Sequence, residues 1–145
     1  MISYPLGGKI VFTNGCFDLL HAGHVSLLEQ ARAMGRLLIV GIDTDESIRA
    51  RKGEGRPIQS LYDRAMLLSA IRYVDYVIPF NGREALERII SQVCPHILVK
   101  GEDWQGKEIV GRGIVEAHGG KVVFVPLVEG QSTTKLIERI KGDQP

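Results

Sequence analysis

Two histidines spaced His21-Ala22-Gly23-His24, close behind Thr13-Asn14-Gly15-Cys16-Phe17-Asp18, are the residues of this chain best suited to chemistry. Three apolar residues, Ile10, Val11 and Phe12, run into that polar turn, and the turn opens a helix carrying both imidazoles. A strand-to-helix turn aims backbone N–H groups and the positive end of a helix dipole at one spot, which suits an anion such as a phosphate. Two imidazoles beside that spot supply donors for the charge of a phosphoryl-transfer transition state, and Gly23 lets backbone approach closely. The segment describes a nucleotide-handling site. A histidine standing alone is more often structural, and His96, before a strand, and His118, at a helix end, read that way.

The rest of the chain must position that turn. Residues 9–13 read as a strand, followed by a helix over residues 22–34 with Leu27, Ala31 and Met34 on one face and Gly35 as its stop. Residues 37–42 form a continuous apolar run, the pattern of a strand covered on both faces. The polar stretch 43–58 admits a short helix near residues 45–50. Ser60 and Asp63 open a helix reaching residue 71, with Leu61, Ala65 and Leu68 inward, and a third strand is expected at residues 74–80. Leu86, Ile89, Ile90 and Val93 make a helical stripe closed by Pro95. Residues 97–99 and 122–125 read as the fourth and fifth strands, around a helix marked by Val110, Ile114 and Ala117. Ser132 caps a last helix through residue 140. Strands alternating with helices require an α/β fold: a single doubly wound, Rossmann-like, five-stranded parallel sheet with helices on both faces. Residues 1–145 form one domain in this reading, with 142–145 as a frayed tail.

Such sheets bind ligands beyond the C-terminal ends of their strands. The unusual polar residues collect there. Asn14, Asp18, His21 and His24 follow the first strand, and Asp43 and Asp45 the second, with Lys52 and Arg56 in the loop beyond. Lys100, Gly101, Asp103 and Trp104 follow the fourth, and Gly130, Ser132, Thr133 and Thr134 the fifth. Neither a P-loop nor a dinucleotide fingerprint is present, since Gly53-Glu54-Gly55 lacks the third glycine and the preceding strand. Two cysteines lack disulfide or metal-site spacing; Cys16 reads as a small buried side chain and Cys94 as core. A net charge of +1 gives no electrostatic reason to expect nucleic acid or an anionic membrane as partner. No apolar run approaches the ~20 residues that span a bilayer, and residues 1–5 lack a signal-peptide start, so the cytoplasm is the expected location.

The opening segment with His21-Ala22-Gly23-His24 looks like the HxGH motif of the cytidylyltransferase-type nucleotidyltransferases. Gly130-Gln131-Ser132-Thr133-Thr134 is similar to the second motif of that superfamily, a Ser/Thr-rich helix start that holds the triphosphate. Lys52-Gly53-Glu54-Gly55-Arg56-Pro57-Ile58, Val99-Lys100-Gly101 and Val125-Pro126-Leu127-Val128-Glu129-Gly130 most resemble the heptose 1-phosphate adenylyltransferases within it. In many species that activity is one half of a bifunctional ADP-heptose synthase; here it is expected to stand alone. The similarity covers residues 9–140. Ile42-Asp43-Thr44-Asp45 departs from the Asn-Ser-Asp type of sequence, and residues 103–107 are as similar to the glycerol 3-phosphate cytidylyltransferases.

The resemblance implies that AMP moves from ATP to D-glycero-β-D-manno-heptose 1-phosphate, giving ADP-heptose for lipopolysaccharide or surface-polysaccharide precursors. It implies His21, His24 and Lys52 as catalytic residues, with Thr13, Asn14, Gly15, Cys16, Phe17, Asp18 and Gly23 around the nucleotide phosphates. Arg64 joins Lys52 in neutralising charge, Lys100, Gly101 and Asp103 line the nucleotide pocket, and Ser132, Thr133 and Thr134 hold the β- and γ-phosphates. Asn14, Lys52 and Arg56 face the acceptor. Mg²⁺ is expected as the partner of ATP, with no protein metal site assigned, and a homodimer follows by analogy alone. Several bland alternatives stand: Asp18 as a helix cap or an orienter of the turn or a magnesium water, Lys52 and Arg56 as solvated surface, Trp104 as a base stacker or a cover for the sheet edge. Two other functions compete, a glycerol 3-phosphate cytidylyltransferase or other alcohol-phosphate nucleotidyltransferase, and a non-catalytic nucleotide-sensing module.

Overall fold

Apolar residues along each central strand alternate between two destinations, and that alternation builds the two halves of the core. The computed structural model describes residues 8–142. The expectations for residues 1–5 and for residues 143–145 of the tail lie outside them. Strand β1 (Ile10–Gly15) sends Val11 to one side and Ile10 and Phe12 to the other. Strand β2 (Leu37–Asp43) does the same with Leu38, Val40 and Ile42 against Ile39, and β4 (Ile97–Gly101) with Ile97 and Val99 against Leu98. Helices α1 (Ala22–Arg32) and α3 (Leu61–Ser69) close the first face with Leu28, Ala31 and Leu68. Helices α4 (Arg83–Val93) and α5 (Arg112–Ala117) close the second with Leu86, Ile90, Val93 and Val115. With both faces covered, central strands have no solvent side, which is why they read as unbroken apolar runs.

With β3 (Tyr76–Phe80) and β5 (Lys121–Val125), the sheet has five parallel strands in the order β3-β2-β1-β4-β5. The chain leaves β1 toward β2 and β3, then crosses back to place β4 on the other side of β1. The crevice of such a sheet opens at the C-terminal ends of β1 and β4, where the two directions part. Helix α2 (Asp45–Lys52), a short 3₁₀ turn (Glu102–Trp104) and α6 (Thr133–Ile140) all start at that edge.

The expected elements are present, with shifted ends. Helix α1 stops at Arg32 and α3 at Ser69, and β3 starts at Tyr76 rather than at residue 74. Helix α5 begins only at Arg112, so Val110 lies before it; Gly111 has a left-handed backbone (φ 89°), and any Cβ there would run into Ile90. The buried residue of α5 is Val115, and Ala117 is exposed. Cys94 is half-buried rather than core: it forms the left-handed C-cap of α4 (φ 52°). His96 keeps a structural role, its Nδ1 accepting from the Ile10 N–H at 3.0 Å. Among the described residues no helix is long and apolar enough to cross a membrane.

Candidate functional site

The turn after β1 is held in a conformation that side chains rarely adopt. Phe17 and Leu19 both have φ of 52°, a left-handed backbone without glycine. Such strain persists only where surrounding contacts over-determine it, and here four segments do so. The buried Asp18 carboxylate accepts from the Ile58 N–H (2.7 Å), the Gln59 N–H (3.0 Å) and Arg56 Nε (3.3 Å). Gln59 returns a bond, accepting from the Leu19 N–H at 3.1 Å. Arg64 donates through Nη1 to the carbonyls of Cys16 (2.7 Å) and Asp43 (2.8 Å), through Nε to the Gln59 carbonyl (3.0 Å), and through Nη2 to Asp45 (2.6 Å). From the far end of the chain, the Thr133 hydroxyl donates to the Asp18 carbonyl at 2.7 Å.

The histidine pair forms the start of α1. His21 is the N-cap: its Nδ1 accepts from the Gly23 N–H at 3.0 Å, while His24 Nδ1 accepts from the His21 N–H at 3.2 Å. The two rings stack with centroids 3.8 Å apart, and Phe17 lies against His24 at 5.4 Å. An Nδ1 that accepts carries no proton, so this network assigns the proton of each neutral ring to Nε2. Burial lowers His21 below the ordinary imidazole value. His24 falls to about 4, through burial first and then the nearby charges of His21 and Lys52, against an opposing pull from Asp18. Both rings are therefore neutral Nε2–H donors near pH 7, set at a helix start with no acidic residue in its first turn. That combination favours an approaching anion.

Gly23 has a structural reason of its own to lack a side chain. A Cβ on it would lie 2.8 Å from His21 Cε1 and 2.9 Å from Nδ1, so the glycine makes room for the folded-back His21 ring. Gly23→Ala is expected to displace that ring and cut turnover by about 10²-fold, the scale of losing one preorganised donor, with melting temperature nearly unchanged. Steady-state kinetics beside a thermal melt checks this, and an alanine variant with full turnover would show that the His21 position is immaterial.

The structure divides the remaining candidates. Asn14, Gly15, Cys16 and Phe17 lie on the turn itself. Lys52 is exposed at the end of α2, near enough for its charge to act on His24. Ser132 caps α6, accepting from the Lys135 N–H at 3.0 Å, and Thr134 is exposed in the first turn of that helix. Thr13 is placed otherwise than expected: its buried hydroxyl donates to the Val99 carbonyl at 2.8 Å and joins β1 to β4. Arg64 is fully buried and acts as a clamp on the turn, and Arg56 is tied to Asp18. Asp18 orients the turn, its buried carboxylate accepting from three donors. Thr133 gives its hydroxyl to that same turn. Among the described residues no group of three or more His, Cys, Asp or Glu could hold a metal ion.

Lys100 and Arg51 complete the strand-end wall. The Lys100 ammonium is buried, donates to the Asn14 carbonyl at 3.4 Å and lies 4.5 Å over the Trp104 ring, which also carries Lys107 at 5.6 Å. Asp103 folds back so that its Oδ1 would lie 2.7 Å from a Cβ on Gly101. Burial holds Lys100 down to about 8, against the pull of Asp103, Asp43 and Cys16. The protonated lysine therefore costs stability below pH 8, and the cost is relieved as pH rises from about 8 toward the unfolded value of 10.5. Lys100→Met is expected to be more stable than the unsubstituted chain at pH 7, with the difference fading by pH 10. Urea unfolding of both chains across that range checks it, and a difference growing with pH would refute it. Arg51 was missed by the sequence reading; the signal was Asp43, a carboxylate ending a buried strand that must find a cation. A separate groove of about 550 Å³, lined by Glu84, Glu87, Arg88, Ser91, Gln92 and Ile114, lies between α4 and α5 and holds none of these residues.

Comparison with known proteins gives the family of the chain. The chain is 50% identical over 134 residues to the bifunctional protein HldE of Pelobacter propionicus, covering 92% of this chain and 27% of that protein. It is 51% identical over 135 residues to the bifunctional protein HldE of Pseudomonas paraeruginosa, covering 93% and 28%. The chain thus spans about a quarter of the length of these curated relatives. A lipopolysaccharide core biosynthesis protein from Thermoplasma volcanium GSS1, solved by crystallography, superposes with a TM-score of 0.69 at 26% identity, covering 86% of this chain and 100% of that one. The family model described as cytidylyltransferase-like matches residues 12–139, a stretch that runs from β1 into the last turn of α6 and includes both histidines and the Ser132-Thr133-Thr134 helix start. The chain belongs to the cytidylyltransferase-like family.

Proposed function

We propose that this domain is an adenylyltransferase that moves AMP from ATP to D-glycero-β-D-manno-heptose 1-phosphate, releasing pyrophosphate and ADP-heptose for lipopolysaccharide or surface-polysaccharide precursors. One observation carries the reading: two neutral imidazoles, each with its proton on Nε2, stacked at the start of α1 beside the β1–β4 crevice. A phosphate oxygen of the sugar attacks the α-phosphorus, and the bond from that phosphorus to the oxygen bridging toward the β-phosphate breaks. The reaction needs no enzyme nucleophile; positioning and charge stabilisation carry it.

His21 and His24 donate through Nε2 to the α- and β-phosphate oxygens as charge moves onto the departing pyrophosphate. Lys52 adds a mobile positive charge on the same side. The start of α6, with Ser132 and Thr134, holds the β- and γ-phosphates. The backbone of Cys16 and Phe17 supplies further donors. Lys100, Gly101 and Asp103 form the wall of the nucleotide pocket, and an anion arriving beside Lys100 favours its charged form. Mg²⁺ bound with the triphosphate would supply charge neutralisation there.

The test is a pyrophosphate-release panel in which ATP and CTP are each paired with heptose 1-phosphate and with glycerol 3-phosphate. Release from ATP with heptose 1-phosphate alone is expected. Release from CTP with glycerol 3-phosphate would move the reaction to the neighbouring cytidylyltransferases, and none from any pair would favour a nucleotide sensor.

A further inference from the structure

Three arginines reach the turn after β1, and they differ in what they have left to offer. Arg56 is paired with the buried Asp18. Arg64 is fully enclosed, with Nε and both terminal nitrogens engaged. Arg51, in the last turn of α2, pairs through Nη2 with Asp43 and touches Cys16 Sγ at 3.3 Å with the same nitrogen. Its side chain is 52% exposed against 7% for Asp43. A guanidinium carries five N–H donors, and among the described residues Nε and Nη1 of Arg51 make no hydrogen bond. Asp43 also accepts from Ser47 Oγ at 2.9 Å, so its carboxylate stays partnered whichever way Arg51 turns.

We propose that Arg51 is an acceptor-binding residue, turning an unengaged N–H group toward the phosphate of the sugar 1-phosphate while Asp43 holds it over the ends of β1 and β2. The inference rests on the adenylyl-transfer reading and adds a residue that reading does not contain. In-line displacement puts the attacking oxygen opposite the departing pyrophosphate. The pyrophosphate side is the start of α6, which Thr133 fastens to Asp18 and which packs on Gly23 through Gln131. Away from that helix start, the Cys16 end of the same turn meets Arg51, a cation whose side chain is half exposed. Lys100 lies near enough for each charge to act on the other, but its ammonium is buried against Asn14 and Trp104. An exposed guanidinium with unengaged N–H groups reaches a phosphate arriving from solvent, which a buried ammonium does not.

Substitutions at the two ends of the pair should act in opposite directions. With ATP and D-glycero-β-D-manno-heptose 1-phosphate, Arg51→Gln is expected to raise the acceptor KM by about tenfold, with the KM for ATP within about twofold. Asp43→Asn keeps an oxygen for Ser47 and releases Arg51 from its competitor. It is expected to lower the acceptor KM by about threefold, a fraction of what a whole charge-assisted bond contributes. Arg51→Lys, with the charge but without the spare guanidinium donors, should fall between Arg51→Gln and the unsubstituted chain. If Arg51 merely ties α2 to the sheet, both ends of the pair lose the same contact; both acceptor KM values then move together, or the KM for ATP moves with them, and either result overturns the inference. Absence of pyrophosphate from the unsubstituted chain with this acceptor overturns the adenylyl-transfer reading first, and the inference with it.

Discussion

His24→Asn is expected to bind ATP almost as well as the unsubstituted chain while turning over about 10²- to 10³-fold more slowly, the cost of removing one preorganised donor from a charge-developing site. Asparagine suits the experiment because its side-chain oxygen can sit where Nδ1 sits and go on accepting from the His21 N–H. The start of α1 is then preserved and only the Nε2–H is lost. Pre-steady-state nucleotide binding beside turnover separates the two effects; weakened ATP binding with intact kcat would mean the ring positions substrate without stabilising the transition state. The pH profile is a second check. With His24 at about 4, that ring gains no proton between pH 8 and pH 5. The His24 contribution to turnover should be flat over that range, and turnover that rises toward pH 5 in the unsubstituted chain but not in His24→Asn would identify a charged His24 imidazolium as the donor.

Arg64→Leu is expected to cost about 3–5 kcal/mol of folding stability, the range for breaking a buried ion pair by removing one partner. The arginine is 0% exposed, and its loss leaves three backbone carbonyls and the Asp45 carboxylate without their donor. For a domain whose whole stability is about 5–15 kcal/mol, that approaches the margin of folding. Arg64→Lys retains the charge and part of the bonding, so it should fold with a smaller loss and a measurable melting temperature. A leucine variant as stable as the unsubstituted chain but unable to bind ATP would restore Arg64 to the phosphates and remove it from the clamp.

The parallel sheet was legible because its central strands are buried on both faces and leave unbroken apolar runs. Helix α5 was harder, since six residues carry barely two turns of periodicity and Gly111 resets the backbone just before them. The histidine pair was legible from residue type and spacing at a strand-to-helix turn. The roles of Thr13, Arg64 and Thr133 were not, because each side chain is committed to a backbone carbonyl distant in sequence. Thr13 meets Val99 across 86 residues and Thr133 meets Asp18 across 115. For Arg64 a local signal existed. It shares the inward face of α3 with Leu61, Ala65 and Leu68, and an arginine on an apolar stripe must find oxygens inside. Arg51 was hidden because Asp43 calls for a cation without saying which of Arg49, Arg51 and Lys52 supplies it.

The bond between Thr133 and Asp18 has a consequence for biosynthesis. The ribosome delivers the helix that braces the histidine turn 115 residues after the turn itself, so a nascent chain can assemble its sheet while that turn still lacks the brace. A chain released before Thr133 is made carries both histidines without the fastening that holds their turn.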